Sequence, residues 1–364
     1  MSRNSKFHFS IALEQHTPLL HFQHDQEGAG LRATDVKARL DRFIIEQEGL
    51  KQCKELLVGY AGGDGKDLAP ALDYKLWVES GPVMERFIFN ANLRDGYFNK
   101  YNPELGRKER IRDVNKDDLG FIKNAGYIPI RNAPFFASAE YIDGTKSELN
   151  KAIKGVTLEH IRLHFFMLNS EIKHLINRHL SGFFLLHNFG SRQTKGFGSF
   201  SLARPTKAQI IQTIQRYDKK GFYCSISSKP DELFKFISTT YRGLKIGRDW
   251  KSGDIYSKIY DHLESEANNS ILWARSAIKK HLLRASLSNQ PIMTNDDDLY
   301  IRALLGLAEM HQYLHTRPKF NVTIKDAGEN KGTVERFPSP LTFKYVNGLL
   351  YICLLYTSPS PRDS

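Results

Sequence analysis

The sequence predicts an α+β protein whose first half follows the ferredoxin-like (RRM-like) order of elements, on three observations. Two stretches alternate apolar and polar residues with a period of two. Two others carry apolar residues at three- and four-residue spacing, and together they run strand, helix, strands, helix, strand.

The first alternating stretch is "KFHFSIALEQHTPLLHF" (Lys6 to Phe22). Phe7, Phe9, Ile11 and Leu13 fall on one face and His8, Ser10 and Ala12 on the other, so it reads as a strand that Thr17-Pro18 bends or ends. After the polar loop "QHDQEGAG", Thr34 stands as a candidate N-cap, and Val36, Leu40, Phe43 and Ile44 predict an amphipathic helix. From Gly49 to Gly155 the chain is polar and irregular, a long insertion holding short strand candidates at "YKLWVES", "MERFIFN", "GYIPI" and "PFFASAEYI" and the charge cluster "RKERIRDVNKDD". "TLEHIRLHFFMLN" alternates again, with Ile161, Leu163, Phe165 and Met167 on one face. Ser170 then caps a predicted helix to about Leu186, in which Ile172, Leu175, Ile176, Leu180, Phe183 and Phe184 share a stripe. A glycine-rich loop leads into the last strand, "GFGSFSLA".

Arg204-Pro205 opens a different region. Helices are predicted at "KAQIIQTIQRY", "PDELFKFISTTYRGLK", "SILWARSAIKKHLLRASL" and "DDDLYIRALLGLAEMHQYL", the acidic run of the last suiting a helix N-terminus better than a metal. Strands return with "KFNVTIKD" and "VERFP", and Asn347-Gly348 between "LTFKYV" and "LLYI" signals a hairpin. The tail "CLLYTSPSPRDS" (353–364) resembles a translated library-preparation adaptor and is expected to be an artefact, the gene's own sequence then ending near Ile352; a natural Ser/Pro tail is the other reading.

Composition narrows the function. Lys and Arg number 52 against 40 Asp and Glu, a net charge of +12, which favours a polyanionic partner, nucleic acid before membrane. No charged leader and no apolar run of membrane-spanning length is present, so no membrane is expected. Cys53 and Cys224 form no CxxC, which points to a reducing cytoplasm and away from disulfides or zinc. "GGDGKD" lacks the spacing of a phosphate-binding GxxxxGK[ST] loop, and HExxH, GxSxG and GxGxxG do not occur. The pairs His160/His164 and His311/His315 have no evident third ligand, so neither a metal nor a cofactor is expected. His16, His21 and His24 lie around the loop after the first strand, where an imidazole could act as general acid or base on an RNA 2′-hydroxyl, stack on a base, or fill a polar loop.

The specific signal is "LHNFGSRQTKGFGSFSL" (Leu186 to Leu202). Gly190, Gly196 and Gly198 let the backbone approach a ligand closely, and successive amides there can form an anion-binding nest. Arg192 and Lys195 add charge, Phe197 offers a stacking face, and Phe189 points back to the core. A second reading stays open, in which Gly190 caps the preceding helix and "KGFG" is a bulge at a strand entry.

"NFGSRQTKGFGSFSL" resembles the glycine-rich loop of the RAMP superfamily of CRISPR RNA-binding proteins, whose loops lie between the second helix and last strand of a ferredoxin-like fold. "LEQHTPLLHF" with "GLRATDVKARLDRFI" is similar to the first strand, loop and helix of the large RAMP subunit of type III-B (Cmr) effector complexes, and "ERFPSPLTFKYVNG" to its second ferredoxin-like half. The resemblance implies two ferredoxin-like domains. Residues 1–204 would form the first, and 205–352 a helical insertion plus a second, truncated one. It also implies a cytoplasmic, non-catalytic subunit of an antiviral ribonucleoprotein, contacting crRNA or target RNA alongside other effector subunits. The RNA-contacting positions carried over are Arg32, Lys37, Gly190, Ser191, Arg192, Lys195, Gly196, Phe197 and Gly198. Departures are Gln193-Thr194, where relatives are more basic, and a single glycine after Phe189 where the family has two. The alternative within the superfamily is a metal-independent CRISPR-RNA-processing endoribonuclease using His21 or His24.

Overall fold

The computed structural model describes residues 7–20, 30–60, 70–89, 97–112, 122–130, 153–202, 204–217, 222–246, 248–250, 253–255, 311–313, 320–322 and 341–354. The fold is a mixed α+β one with several sheets. Contacts divide the chain into two compact units, Met1–Ile237 with Phe343–Cys353, and Ser238–Thr342 with Leu354–Ser364.

The first unit opens with β1 (His8–Gln15) and β2 (Leu19–Leu20), followed by α1 (Ala33–Glu48) and the short α2 (Leu50–Cys53). The insertion supplies β3 (Lys75–Ser80), β4 (Val83–Phe89), β5 (Tyr97–Asn102), β6 (Arg107–Arg112) and β7 (Ile128–Ile130). Then come β8 (Ile153–Leu158), β9 (Ile161–Phe166), α3 (Ser170–Leu186) and β10 (Phe200–Leu202). α4 (Lys207–Tyr217), β11 (Phe222–Ser225) and α5 (Pro230–Ile246) precede the final hairpin of β16 (Leu341–Val346) and β17 (Leu349–Leu354).

One sheet has the order β10-β1-β9-β3, every neighbour antiparallel. The expected alternation decides its faces. Phe9, Leu13, Ile161, Leu163 and Phe165 are buried on one side, leaving His8, Ser10, Arg162, His164 and Phe166 on the other. α1 buries Val36, Leu40, Phe43 and Ile44, and α3 buries the whole predicted stripe. Phe43 meets Phe183 across the helix pair, 5.8 Å between ring centroids.

Thr17-Pro18 does more than end a strand: it hands the chain from this sheet to a second one, β2-β8-β4-β7, in which β4 and β7 run parallel. The insertion is thus largely β structure where described. "YKLWVES" supplies an edge strand of the first sheet, "MERFIFN" a central strand of the second, and the first half of the charge cluster, Arg107–Arg112, pairs with β5 as a hairpin. "PFFASAEYI" lies outside the described residues. A third sheet, β11-β17-β16, turns through Asn347 and Gly348 at φ 48° and 76°, the two positive values that a two-residue type I′ hairpin requires.

Both cap expectations shift. Arg32, not Thr34, is the N-cap of α1, in extended backbone and with no side-chain hydrogen bond to the helix. Asn169, not Ser170, caps α3, its Oδ1 accepting from the Glu171 amide at 2.8 Å. Gly190 does not cap α3 either, because His187 ends the helix by donating its amide to Phe183 O.

In the second unit the described residues include the end of α5 and two small antiparallel strand pairs, β12 (Arg248–Trp250) with β13 (Gly253–Ile255) and β14 (His311–Tyr313) with β15 (Phe320–Val322). The end of "DDDLYIRALLGLAEMHQYL" is therefore a strand, since pairing with β15 overrides its helical pattern. Most of the two helices expected at 270–314 and the acidic run lie outside the described residues.

Candidate nucleic-acid interface

The glycine loop runs from the end of α3 to β10 and spends most of its backbone on the protein itself. The amides of Phe189, Ser191, Lys195, Gly196 and Gly198 donate to Gly198 O, Leu20 O, Arg192 O, Gln193 O and Pro18 O. Positive φ at Gly190, Arg192, Gly196 and Gly198 winds the segment tightly enough for this. The glycines are needed for close approach, but to the protein's own chain: a Cβ on Gly190 would meet Leu20 O, and one on Gly198 would meet Phe189 O. A ring of side chains fixes the turn. Asn188, fully buried, donates to Gln193 O (2.6 Å) and Phe343 O (2.8 Å). Ser199 Oγ donates to Tyr345 O, and Arg39 Nη1 donates to Asn188 O (2.7 Å) while its guanidinium lies over the Phe189 ring.

Three expectations are corrected here. Phe197 offers no stacking face, because it is wholly buried, stacked on Phe234 at 4.3 Å and edge-on to Phe89. Lys37 faces inward: its ammonium donates to Asp41 Oδ2 (2.6 Å) and Leu72 O (2.9 Å) and lies over Tyr74. Phe189 is buried as expected. Lys195 does not present its charge to a ligand either, because its Nζ is shielded from solvent. Ser191 and Arg192 are half-buried, and Gly196 and Gly198 are buried.

Arg32 is exposed. It lines a cleft of about 300 Å³ with Thr34 and Asp35 of the first helical turn, Leu19 and Leu31, and Gly190 of the glycine loop. Two of the islands singled out in the sequence thus meet at one concavity. The first turn of a helix carries unpaired amides and the positive end of its dipole, and the side chain of the N-cap, Arg32, ties off none of them at α1. Asp35 offsets part of that charge and Arg32 adds to it.

Behind the loop sits a basic group that sequence reasoning missed. Lys344, wholly buried in β16, donates from Nζ to His187 O (2.8 Å) and Phe200 O (2.9 Å). Burial, with Arg39 adding to it, holds its ammonium well below the usual lysine range. Burial likewise lowers Arg39, partly offset by Asp35. His16 and His187 are lowered to about 3, by burial first, with Lys344 adding in both cases. His16 Nε2 also shares a 2.7 Å hydrogen bond with Ser201 Oγ. An imidazole so hard to protonate is a poor acid or base near neutrality, which removes His16 from the catalytic candidates. His21 and His24 lie outside the described residues. The one advance signal for Lys344 was its place inside the apolar run "LTFKYV".

Among the described residues no cluster of His, Cys, Asp and Glu could hold a metal, and no helix is long and apolar enough to cross a membrane. His160 pairs loosely with Glu159 at 3.5 Å, while His164 bonds Ser10 Oγ and Glu79 Oε2, so the two do not converge. His311 lies in β14, and His315 is outside the described residues.

A family model described as the Cmr1 N-terminal domain matches residues 6–248, and one described as the Cmr1 C-terminal domain matches residues 255–361. Similar solved structures include the crystal structure of Cmr1 from Pyrococcus furiosus in its apo form. It is 11% identical, with a TM-score of 0.32 over 96% of this chain and 89% of that one. Another is the cryo-EM structure of the Type III-B Cmr-beta bound to cognate target RNA and AMPPnP, state 2, in the presence of ssDNA. It is 14% identical, with a TM-score of 0.33 over 97% of this chain and 95% of that one. No curated protein matches.

Proposed function

This chain belongs to the Cmr1 family, and on that premise we propose that it is an RNA-binding subunit of a type III CRISPR effector ribonucleoprotein. It holds the backbone of crRNA or target RNA at the cleft between the α1 N-terminus and the glycine loop, beside other effector subunits. The observation that carries this reading is that Arg32 and Gly190, far apart in sequence, line one cleft at a helix end without a side-chain cap. Phosphates favour such ends. Arg192, half-buried and two residues beyond Gly190, adds to the basic surface, and a net charge of +12 attracts the polyanion from a distance. The loop's glycines act here by shaping the wall of the cleft, since most of their neighbouring amides are already engaged.

The domain reading belongs to the same proposal. Residues 1–204 form one ferredoxin-like domain, supported by the sheet order last-first-third-second that interleaved β-α-β units produce. Residues 205–352 carry a helical insertion and a second such domain, supported by the Asn347-Gly348 hairpin and its β11 partner. The protein works in the cytoplasm, where crRNA is held.

The test is a salt titration of RNA binding. Arg32→Ala with Arg192→Ala weakens binding to all sequences alike and flattens the slope of log affinity against log salt by about 1.4, at about 0.7 per lost single-strand phosphate contact. An unchanged slope rejects the cleft.

A further inference from the structure

The face of the β10-β1-β9-β3 sheet turned away from α1 and α3 carries side chains that neither the core nor the cleft uses. Trp77 of β3 is paired in register with His164 of β9, which is paired with Ser10 of β1. One step along, Lys75, Phe166 and His8 form the next row across the same three strands, and Glu79, Arg162 and Ala12 the row on the other side. Three rings stand near-parallel on this grid: Trp77 on His164 (5.1 Å, 8°), His8 on Trp77 (5.3 Å, 24°) and His8 on His164 (5.8 Å, 15°). The central ring is fixed in plane by hydrogen bonds at both nitrogens, to Ser10 Oγ (2.7 Å) and Glu79 Oε2 (2.8 Å). Trp77 is nevertheless 45% exposed and Phe166 39%.

A large flat ring left in water beside polar, pre-oriented rings is an arrangement that core packing does not call for. We propose that this open face is a second RNA contact, in which Trp77, backed by His164 and His8, stacks unpaired nucleobases of a single strand. Charge selects the occupant. Lys75 and Arg162 flank the rings on the same face, while Glu79, the acidic residue of the three rows, is turned to His164, so a phosphate chain can run past the rings with cations on either side. Aromatic platforms on sheets accept any base, because every base has a flat π-face, and the cations follow the backbone. The proposal shares the RNA with the cleft reading and none of its residues.

The experiment follows tryptophan fluorescence of the full chain during titration with short oligouridine and oligoadenosine RNAs, comparing wild type, Trp77→Ala, Trp77→Phe and the Arg32→Ala/Arg192→Ala pair. Stacking predicts quenching that Trp77→Ala and Trp77→Phe both abolish for the Trp77 share of the signal. Affinity falls about tenfold in Trp77→Ala for both RNAs and recovers largely in Trp77→Phe. The salt slope of Trp77→Ala stays that of wild type, because stacking releases no counterion. The arginine pair shows the converse, retained quenching and a flatter slope, so the two contacts fail separately. Wild-type affinity and slope in Trp77→Ala overturn the proposal, and so does an absence of Trp77-dependent quenching; either is what a protein partner on this face would give. No RNA binding by any form overturns both contacts.

Discussion

The glycine loop and the start of α1 face one cleft and are built on opposite terms. The loop is closed on itself: its amides donate to Leu20, Pro18 and its own carbonyls, and Asn188 and Ser199 staple it to β16. The helix start has no side-chain cap, and Arg32 stands in solvent. The contrast teaches that a segment rich in glycine and cations can be conspicuous because of its folding, while the neighbouring helix end, which looks ordinary, keeps an N-cap side chain that its own helix does not use. Rigidity and reception are divided between two elements.

The sharpest way to break this comparison is Gly198→Ala. A Cβ there overlaps Phe189 O at a positive φ, so a loss of at least about 3 kcal/mol of stability is expected by chemical denaturation. A variant as stable as wild type would mean that the loop yields more easily than described. Acid comes next. His16 and His187 have folded pKa values near 3 against 6.5 for the free side chain, so the unfolded chain binds more protons below 6.5. Their contribution is intact above about 6.5 and is lost as pH falls toward 3, at up to about 1.4 kcal/mol per pH unit for each histidine. Urea midpoints measured between neutral and mildly acidic pH check this, and His16→Asn should flatten the decline. Asn188→Ala leaves Gln193 O and Phe343 O without their donor and should cost about 2–3 kcal/mol. Arg32→Ala with Arg192→Ala should change stability least, by no more than about 0.5 kcal/mol, while altering RNA binding most.

The elements with long periodic patterns were legible. β1, β9, α1 and α3 follow from alternation and from three- and four-residue spacing, and the Asn347-Gly348 turn from the sterics of positive φ. Cap positions slipped by one or two residues because Asn169-Ser170 and Arg32 through Thr34 offer adjacent groups that local propensity cannot separate. β4 and β7 were named as strand candidates, but their assembly with β2 and β8 into a second sheet was hidden, since it joins residues across long sequence separations that no local pattern encodes. At the site, Gly190 and Arg32 could be named in advance, but not which way Phe197 or Lys37 turns. Those directions depend on Phe234 and Asp41, whose nearness only the fold decides.

β16 returns to the first unit after more than a hundred residues assigned to the second, and brings Phe343, Lys344 and Tyr345 to the loop's carbonyls and hydroxyls. On the ribosome, then, the fastening that locks this turn is made about 155 residues after Asn188. Until β16 emerges, Asn188 and Ser199 lack their acceptors there, so a nascent chain stopped before it should be open to proteolysis at that turn.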